Sequence, residues 1–193
     1  MPIPKILVLS GSLRTGSYNT RLAALAAKEL TLAEADVSRI SLGDYPLPIY
    51  DADREANAGM PDEAIRLKQM FSAHQGVFIA TPEYNASVTP LLKNAIDWVS
   101  RVREKNEPAL AAYKNRAFAL GAASPGQFGG MRSLMAMRQV LEVGCGALVI
   151  PEQISVANAA DAFDEMDELK DKRHANQLKS VARRLIEVAR LVG

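Results

Sequence analysis

Short apolar runs alternate with helix-period stretches along this chain. Lys5–Ser10 (KILVLS) is nearly continuous apolar, as a strand buried on both faces should be. Residues 20–30 space Leu22, Leu25 and Leu30 among alanines, which predicts a helix. Residues 36–42 (DVSRISL) alternate and predict a more exposed strand. Residues 43–60 are rich in Pro, Gly and Asp and predict a long loop. Asp62–Ser72 is helical in period, with Ile65, Met70 and Phe71 as core candidates. Gly76–Ala80 (GVFIA) predicts a buried strand, and residues 89–102 a helix with Leu92, Ile96 and Val99 inward. Residues 116–122 predict a fourth strand and 130–143 a helix. Residues 147–150 predict a fifth strand, its ladder limited by Pro151. Residues 162–192 form a long amphipathic stretch, with Leu178, Val181, Leu185 and Val188 along one side.

Strands alternating with helices mean an α/β chain with a parallel sheet and helices on both faces. Five strands fit a flavodoxin-like three-layer sandwich in the order 2-1-3-4-5, as a single domain over residues 1–193. Crossovers are right-handed, and ligands sit beyond the carboxyl ends of the strands where the order reverses. That order makes strands 1, 3 and 4 neighbours. The loops after them are the chain's unusual polar segments: GSLRTGSYN (residues 11–19), TPEYN (81–85) and SPGQFGG (124–130).

Composition narrows the classes. The 193 residues are 48% apolar and 23% charged with net charge +1, so neither nucleic acid nor an anionic membrane is favoured. No run approaches the ~20 apolar residues of a membrane span. The N-terminal MPIPKILVLSGS carries no signal-peptide pattern, and the lone cysteine, Cys145, excludes a disulfide framework. A cytoplasmic protein is expected. Cys145 reads as a small buried residue, and His74 and His174 as surface or helix-packing residues, with no metal-ligand spacing.

The first loop places small and hydroxyl residues between a strand and a helix. Unpaired N–H groups at a helix start point at any anion placed there. Ser12, Ser17, Asn19 and Thr20 add hydroxyl or amide donors and Arg14 a charge, which suits a phosphate monoester. A Walker loop is excluded because Ser17 and Tyr18 follow Gly16, and the dinucleotide fingerprint lacks a glycine. The alternative is a plain turn capped by Ser17 or Asn19. In the second loop Pro82 stiffens the backbone. Glu83, Tyr84 and Asn85 can then meet the edge of a planar heterocycle, with Tyr84 stacking on it or bordering it. Glu83 suits a general base, a hydrogen-bond acceptor or a helix N-terminal charge. Ser124, in the third loop, reaches the outer face of such a ring, or the loop is a simple turn. Met131, Met135 and Met137 serve core packing or a subunit interface.

GSLRTGSYN, TPEYNASVTPLLKNAIDW and SPGQFGG, with LPIYDAD (47–53), resemble the NADPH-dependent FMN reductase family. That flavodoxin-like group includes bacterial quinone, chromate and azo-dye reductases. The resemblance implies that Ser12, Arg14, Ser17, Asn19 and Thr20 hold the FMN phosphate. It implies that Pro82, Glu83, Tyr84 and Asn85 contact the isoalloxazine ring and ribityl chain, with Ser124 nearby. It also implies a homodimer or homotetramer, Arg101 serving assembly, and a longer, more charged segment at 102–113 than is usual. The expected activity passes hydride from NADPH (or NADH) through FMN to quinones or other small oxidants: chromate, azo or nitro compounds, or free flavin. Flavin N5 would carry the chemistry, with no catalytic side chain and no metal. The rivals are a flavodoxin-like electron carrier and a fold-only protein-interaction relative.

Overall fold

The computed structural model describes residues 2–192. Strands β1 (Lys5–Ser10), β2 (Asp36–Ser41), β3 (Gly76–Ala80), β4 (Ala117–Ala123) and β5 (Leu148–Val156) form one parallel sheet in the order β2-β1-β3-β4-β5. The helices are α1 (Tyr18–Leu32), α2 (Ala52–Ala58), α3 (Asp62–Ser72), α4 (Pro90–Arg101), α5 (Met131–Arg138), α6 (Ala159–Ala162) and α7 (Lys172–Val192).

The sheet is covered on both sides. Ile6, Val8 and Phe78 pack with Leu22 and Leu25 of α1 and Leu178, Val181 and Leu185 of α7. Leu7, Leu9, Val77 and Ile79 point the other way, against Leu67 and Phe71 of α3, Leu92 and Ile96 of α4, and Leu134 of α5. Successive strand residues thus enter opposite cores, which is why the central runs are continuously apolar. Each large side chain buried there contributes about 1.5–3 kcal/mol relative to exposure. Phe71 is fully inside, whereas Ile65 and Met70 are half-buried and Ala64 and Leu67 take the inward positions. Met137 is buried, while Met131 and Met135 are exposed.

Three elements depart from the sequence pattern. The expected loop at 43–60 contains α2, capped by Asp51, whose carboxylate accepts from the N–H groups of Asp53 (2.8 Å) and Arg54 (3.0 Å). This helix buries no side chain, so no apolar period announces it. Strand β5 runs through Pro151 to Val156. Phe118 pairs with Val149, but Leu120 pairs with Gln153, a bulge that leaves the proline outside the ladder. The guanidinium of Arg138 fills the gap, donating to the carbonyls of Ile150 (2.6 Å) and Pro151 (3.2 Å). After α6 ends at Ala162 the chain is not helical again until Lys172. Asp164 accepts from the N–H groups of Met166 and Glu168, both at 2.9 Å, and holds that acidic segment in a turn.

The charged segment after α4 is tethered. Lys68, buried on α3, donates to Glu107 at 2.7 Å and to Glu104 at 3.0 Å. Arg101 pairs with Glu55 of the same chain at 3.0 Å, and the Tyr50 hydroxyl donates to that carboxylate at 3.0 Å. The guanidinium holds the Glu55 carboxyl below its ordinary value. Cys145 is buried at the opposite edge of the sheet from the polar loops, and burial raises its thiol to about 11.

Candidate flavin site

The three polar loops meet above the carboxyl ends of β1, β3 and β4. Each pair is joined by hydrogen bonds. Loop one meets loop two where Gly11 N–H donates to Ala80 (2.9 Å) and the Thr89 hydroxyl donates to the Gly11 carbonyl (2.8 Å). A Cβ on Gly11 would lie 2.9 Å from Leu92 Cδ2 and 3.0 Å from Pro82 Cδ, so only glycine allows this approach. Loop two meets loop three through Ser133, whose hydroxyl donates to the carbonyls of Thr81 and Gly130, both at 2.9 Å. Loop one meets loop three through Asn19. Its amide donates to the Ala123 carbonyl (2.8 Å) while its oxygen accepts from Ala123 N–H (2.9 Å).

Asn19 therefore departs from expectation. Its side chain is buried and braces the start of α1 against the end of β4. What remains for a ligand at that position is backbone. Ser17 holds the N-cap position of α1, but its side chain makes no capping bond, and the first turn has no acidic residue. The N–H groups of Tyr18, Asn19 and Thr20 have no protein acceptor among the described residues. Arg14 lies 5.7 Å from the Tyr18 ring centroid, its guanidinium over the ring. Ser12 accepts from Arg14 N–H at 3.3 Å, and Thr20 is exposed on the same turn. This is an open, positively polarised helix end lined by hydroxyls.

Glu83 also takes a different partner from the ring edge the resemblance implies. Helix α5 starts after Gly130, which has no side chain to cap it. Glu83 supplies the missing acceptor from loop two. Its carboxylate, 7% exposed, takes the N–H of Arg132 at 3.1 Å and pairs with that residue's guanidinium. Two of the roles open to it are filled together: it is a hydrogen-bond acceptor and a helix N-terminal charge. Arg132 in turn lies over the exposed Phe128 ring at 5.2 Å.

Beyond Pro82 and Glu83, loop two closes in a tight reverse turn. Tyr84 and Ser87 exchange backbone hydrogen bonds at 2.9 and 3.0 Å. Asn85 and Ala86 sit at φ 48° and 63°, left-handed conformations that cost alanine about 1 kcal/mol. Tyr84 projects from this turn, 54% exposed. In loop three Ser124 accepts from Gly126 N–H at 3.3 Å, and its own N–H donates to Val156 at 3.0 Å. Gln153–Val156, the stretch after the β5 bulge, thereby reaches loop three; Ser155 also donates to the carbonyls of Phe128 and Gly129 at 3.2 Å.

The residues fit a phosphate-bearing flat cofactor. The open α1 terminus suits the phosphate, and the buried hydroxyls of Ser10 and Thr81, at the ends of β1 and β3, have no protein partner among the described residues. Sequence pattern did not single out Ser10, Thr81, Ser133 or Arg132. A polar residue closing each buried strand was the available signal for the first two.

Residues 4–161 match the family described as NADPH-dependent FMN reductase. The chain belongs to this family. It is 34% identical over 174 residues to an NAD(P)H-dependent FMN reductase of Pseudomonas aeruginosa, covering 88% of this chain and 86% of that protein. It is 37% identical over 141 residues to a quinone reductase of Escherichia coli, covering 71% and 69%. Among solved structures it is similar to FerB, a flavoenzyme NAD(P)H:(acceptor) oxidoreductase of Paracoccus denitrificans. That likeness has a TM-score of 0.78 at 27% identity and covers 99% of this chain and 100% of that one. As a member of the FMN reductase family, the chain is an FMN-dependent NAD(P)H oxidoreductase with a flavodoxin-like fold. Among the described residues no helix is long and apolar enough to cross a membrane.

Proposed function

We infer that the three joined loops hold FMN and that small oxidised acceptors, quinones foremost, take its electrons. The observation that carries this reading is the uncapped start of α1. The N–H groups of Tyr18, Asn19 and Thr20 bind the phosphate, with the Ser12, Ser17 and Thr20 hydroxyls and Arg14 around it. Pro82, Glu83, Tyr84 and Asn85 border the ring and ribityl chain, chiefly through backbone, since the Glu83 carboxylate is engaged by Arg132. Ser124 flanks the ring from loop three. When bound, FMN supplies two-electron exchange between a nicotinamide donor and an acceptor. The protein's part is to fix the loops: Asn19, Thr89 and Ser133 act as braces. The exposed Tyr84 and Phe128 form the mouth through which donor and acceptor enter in turn.

A homodimer or homotetramer is the assembly proposed. It is supported by the family resemblance and by α2, which buries no side chain of its own next to the 74% exposed Ile49. A reducing, cytoplasmic setting is supported by the unpaired, buried Cys145. The deciding experiment is the visible spectrum of the purified protein, identification of the chromophore released by heat, and NADPH oxidation with a soluble quinone. A yellow protein that releases FMN and gives parallel double-reciprocal lines is expected. A protein that binds no FMN on titration overturns the reading.

A further inference from the structure

A crevice of about 250 Å³ lies between the first turns of α1 and the carboxyl ends of β1 and β2. Ser10, Ser12, Thr20, Arg39, Ser41 and Asp44 supply its polar lining. Strand register gathers three of them. Arg39 stands opposite Val8 and Ser41 opposite Ser10 in the parallel ladder, on the face of the sheet that α1 covers. Ser10 is 8% exposed, and its hydroxyl has no hydrogen-bond partner among the described residues. Arg39 and Asp44 are exposed, and neither makes an ion pair among the described residues. Along the sheet edge the order is the crevice at β2, the phosphate cradle at β1, and the ring-bordering loops at β3 and β4.

The space is below the roughly 300–1,000 Å³ of a whole ligand pocket, so it suits one end of a larger ligand. Neighbouring strands lie about 4.8 Å apart, which puts the crevice roughly 10–15 Å from the loops that border the ring. A dinucleotide with its nicotinamide on that ring and its pyrophosphate passing outside the cradle brings its adenosine ribose to β2. In dinucleotide-binding sheets an acidic side chain accepts from the ribose 2′-hydroxyl of NADH, and a nearby arginine takes the 2′-phosphate of NADPH. This crevice holds both kinds of residue, and the hydroxyls decide between them. A sugar diol needs only the carboxylate. An unpaired arginine beside a buried hydroxyl without an acceptor calls for phosphoryl oxygens. We propose that the crevice holds the adenosine 2′-phosphate of the nicotinamide donor, with Arg39 selecting NADPH over NADH. Ser10 and Ser41 donate to the same phosphate, and Asp44 accepts from the adjoining 3′-hydroxyl. This rests on the reading of the three loops as the FMN site.

The test compares NADPH and NADH as donors to a soluble quinone, with FMN-loaded protein, in the parent and in Arg39→Ala and Arg39→Glu. Arg39 is an exposed edge-strand residue, so both variants keep the fold, which circular dichroism and FMN content check. The expected result is a kcat/KM at least tenfold higher for NADPH than for NADH in the parent. Arg39→Ala should lower that ratio at least tenfold, through the KM for NADPH and not through kcat, and Arg39→Glu should reverse the preference. Calorimetric titration with NADP⁺ and NAD⁺ should show the same loss for NADP⁺ alone. A parent that uses both donors equally, or prefers NADH, overturns the subsite while leaving the FMN site standing. So does an equal loss for both donors in Arg39→Ala, or a loss carried by kcat. Failure of the parent to bind FMN overturns the FMN site and the subsite with it.

Discussion

Two helices begin at the same edge of the sheet and treat their first N–H groups in opposite ways. At α5 the terminus is filled: Glu83 reaches across from loop two, takes the Arg132 N–H at 3.1 Å and pairs with its guanidinium. At α1 the terminus is left open: Ser17 makes no cap bond and no acidic residue lies in the first turn. Both termini carry the same partial positive charge. The difference is who satisfies it. A helix start closed by the chain's own carboxylate positions loops, and one left open is free to take an anion from outside. On the function proposed above, that anion is the phosphate of FMN.

The sharpest way to break this contrast is to close α1 as α5 is closed. Thr20→Glu puts a carboxylate three residues after Ser17 and completes a capping box. The expected effects have opposite signs. The flavin-free protein gains about 0.5 kcal/mol of stability from the charge at the helix start. FMN affinity falls about 100-fold, roughly 2.7 kcal/mol, because the phosphate meets a carboxylate in its place. Thermal unfolding and flavin titration read the two separately. Unchanged FMN affinity would show that the open terminus is not the binding site.

The braces come next in size. Asn19→Ala removes both hydrogen bonds to Ala123 and leaves buried backbone groups unsatisfied, a loss of about 2 kcal/mol in stability. Because the loops lose register, FMN affinity should fall with it, and a variant of normal stability would contradict the bracing role. Glu83→Gln keeps an acceptor for the Arg132 N–H but gives up the ion pair. With Arg132 half exposed, about 1 kcal/mol is expected by urea denaturation, with little change in FMN affinity. A large loss of FMN affinity would mean that the carboxylate serves the cofactor and not the helix.

These braces mark where sequence reading stops. The central strands are legible because they feed both cores and must be continuously apolar; the alternation with helices implies a parallel sheet, and its order is the flavodoxin-like one expected for five strands. The polar loops stand out because polar residues close buried runs. The jobs within them do not stand out. Asn19 bonds a residue 104 positions away, and Glu83 one 49 positions away, so no local pattern tells a brace from a ligand contact. Helix α2 escapes for the reverse reason: it packs nothing inward and leaves no period to read. In β5 Pro151 reads as a terminator, yet the bulge and Arg138 let the strand pass it and carry Ser155 to loop three.

The smallest effect separates strain from contact in loop two. Ala86 holds φ 63° at the tip of the Tyr84–Ser87 turn, where asparagine followed by glycine is the favoured pair. Ala86→Gly creates that pair after Asn85. It relieves about 1 kcal/mol of left-handed strain but adds freedom to the unfolded chain, so a net gain of about 0.5 kcal/mol is expected. Were the strain used to present Tyr84 and the loop backbone to the ring, relieving it would loosen that presentation. FMN affinity or the NADPH KM would then worsen as stability rose. Because the two backbone bonds between Tyr84 and Ser87 fix the turn in either variant, the expected outcome is a more stable protein with unchanged FMN affinity. That result would place the binding energy at the open end of α1 and leave loop two the task of shape.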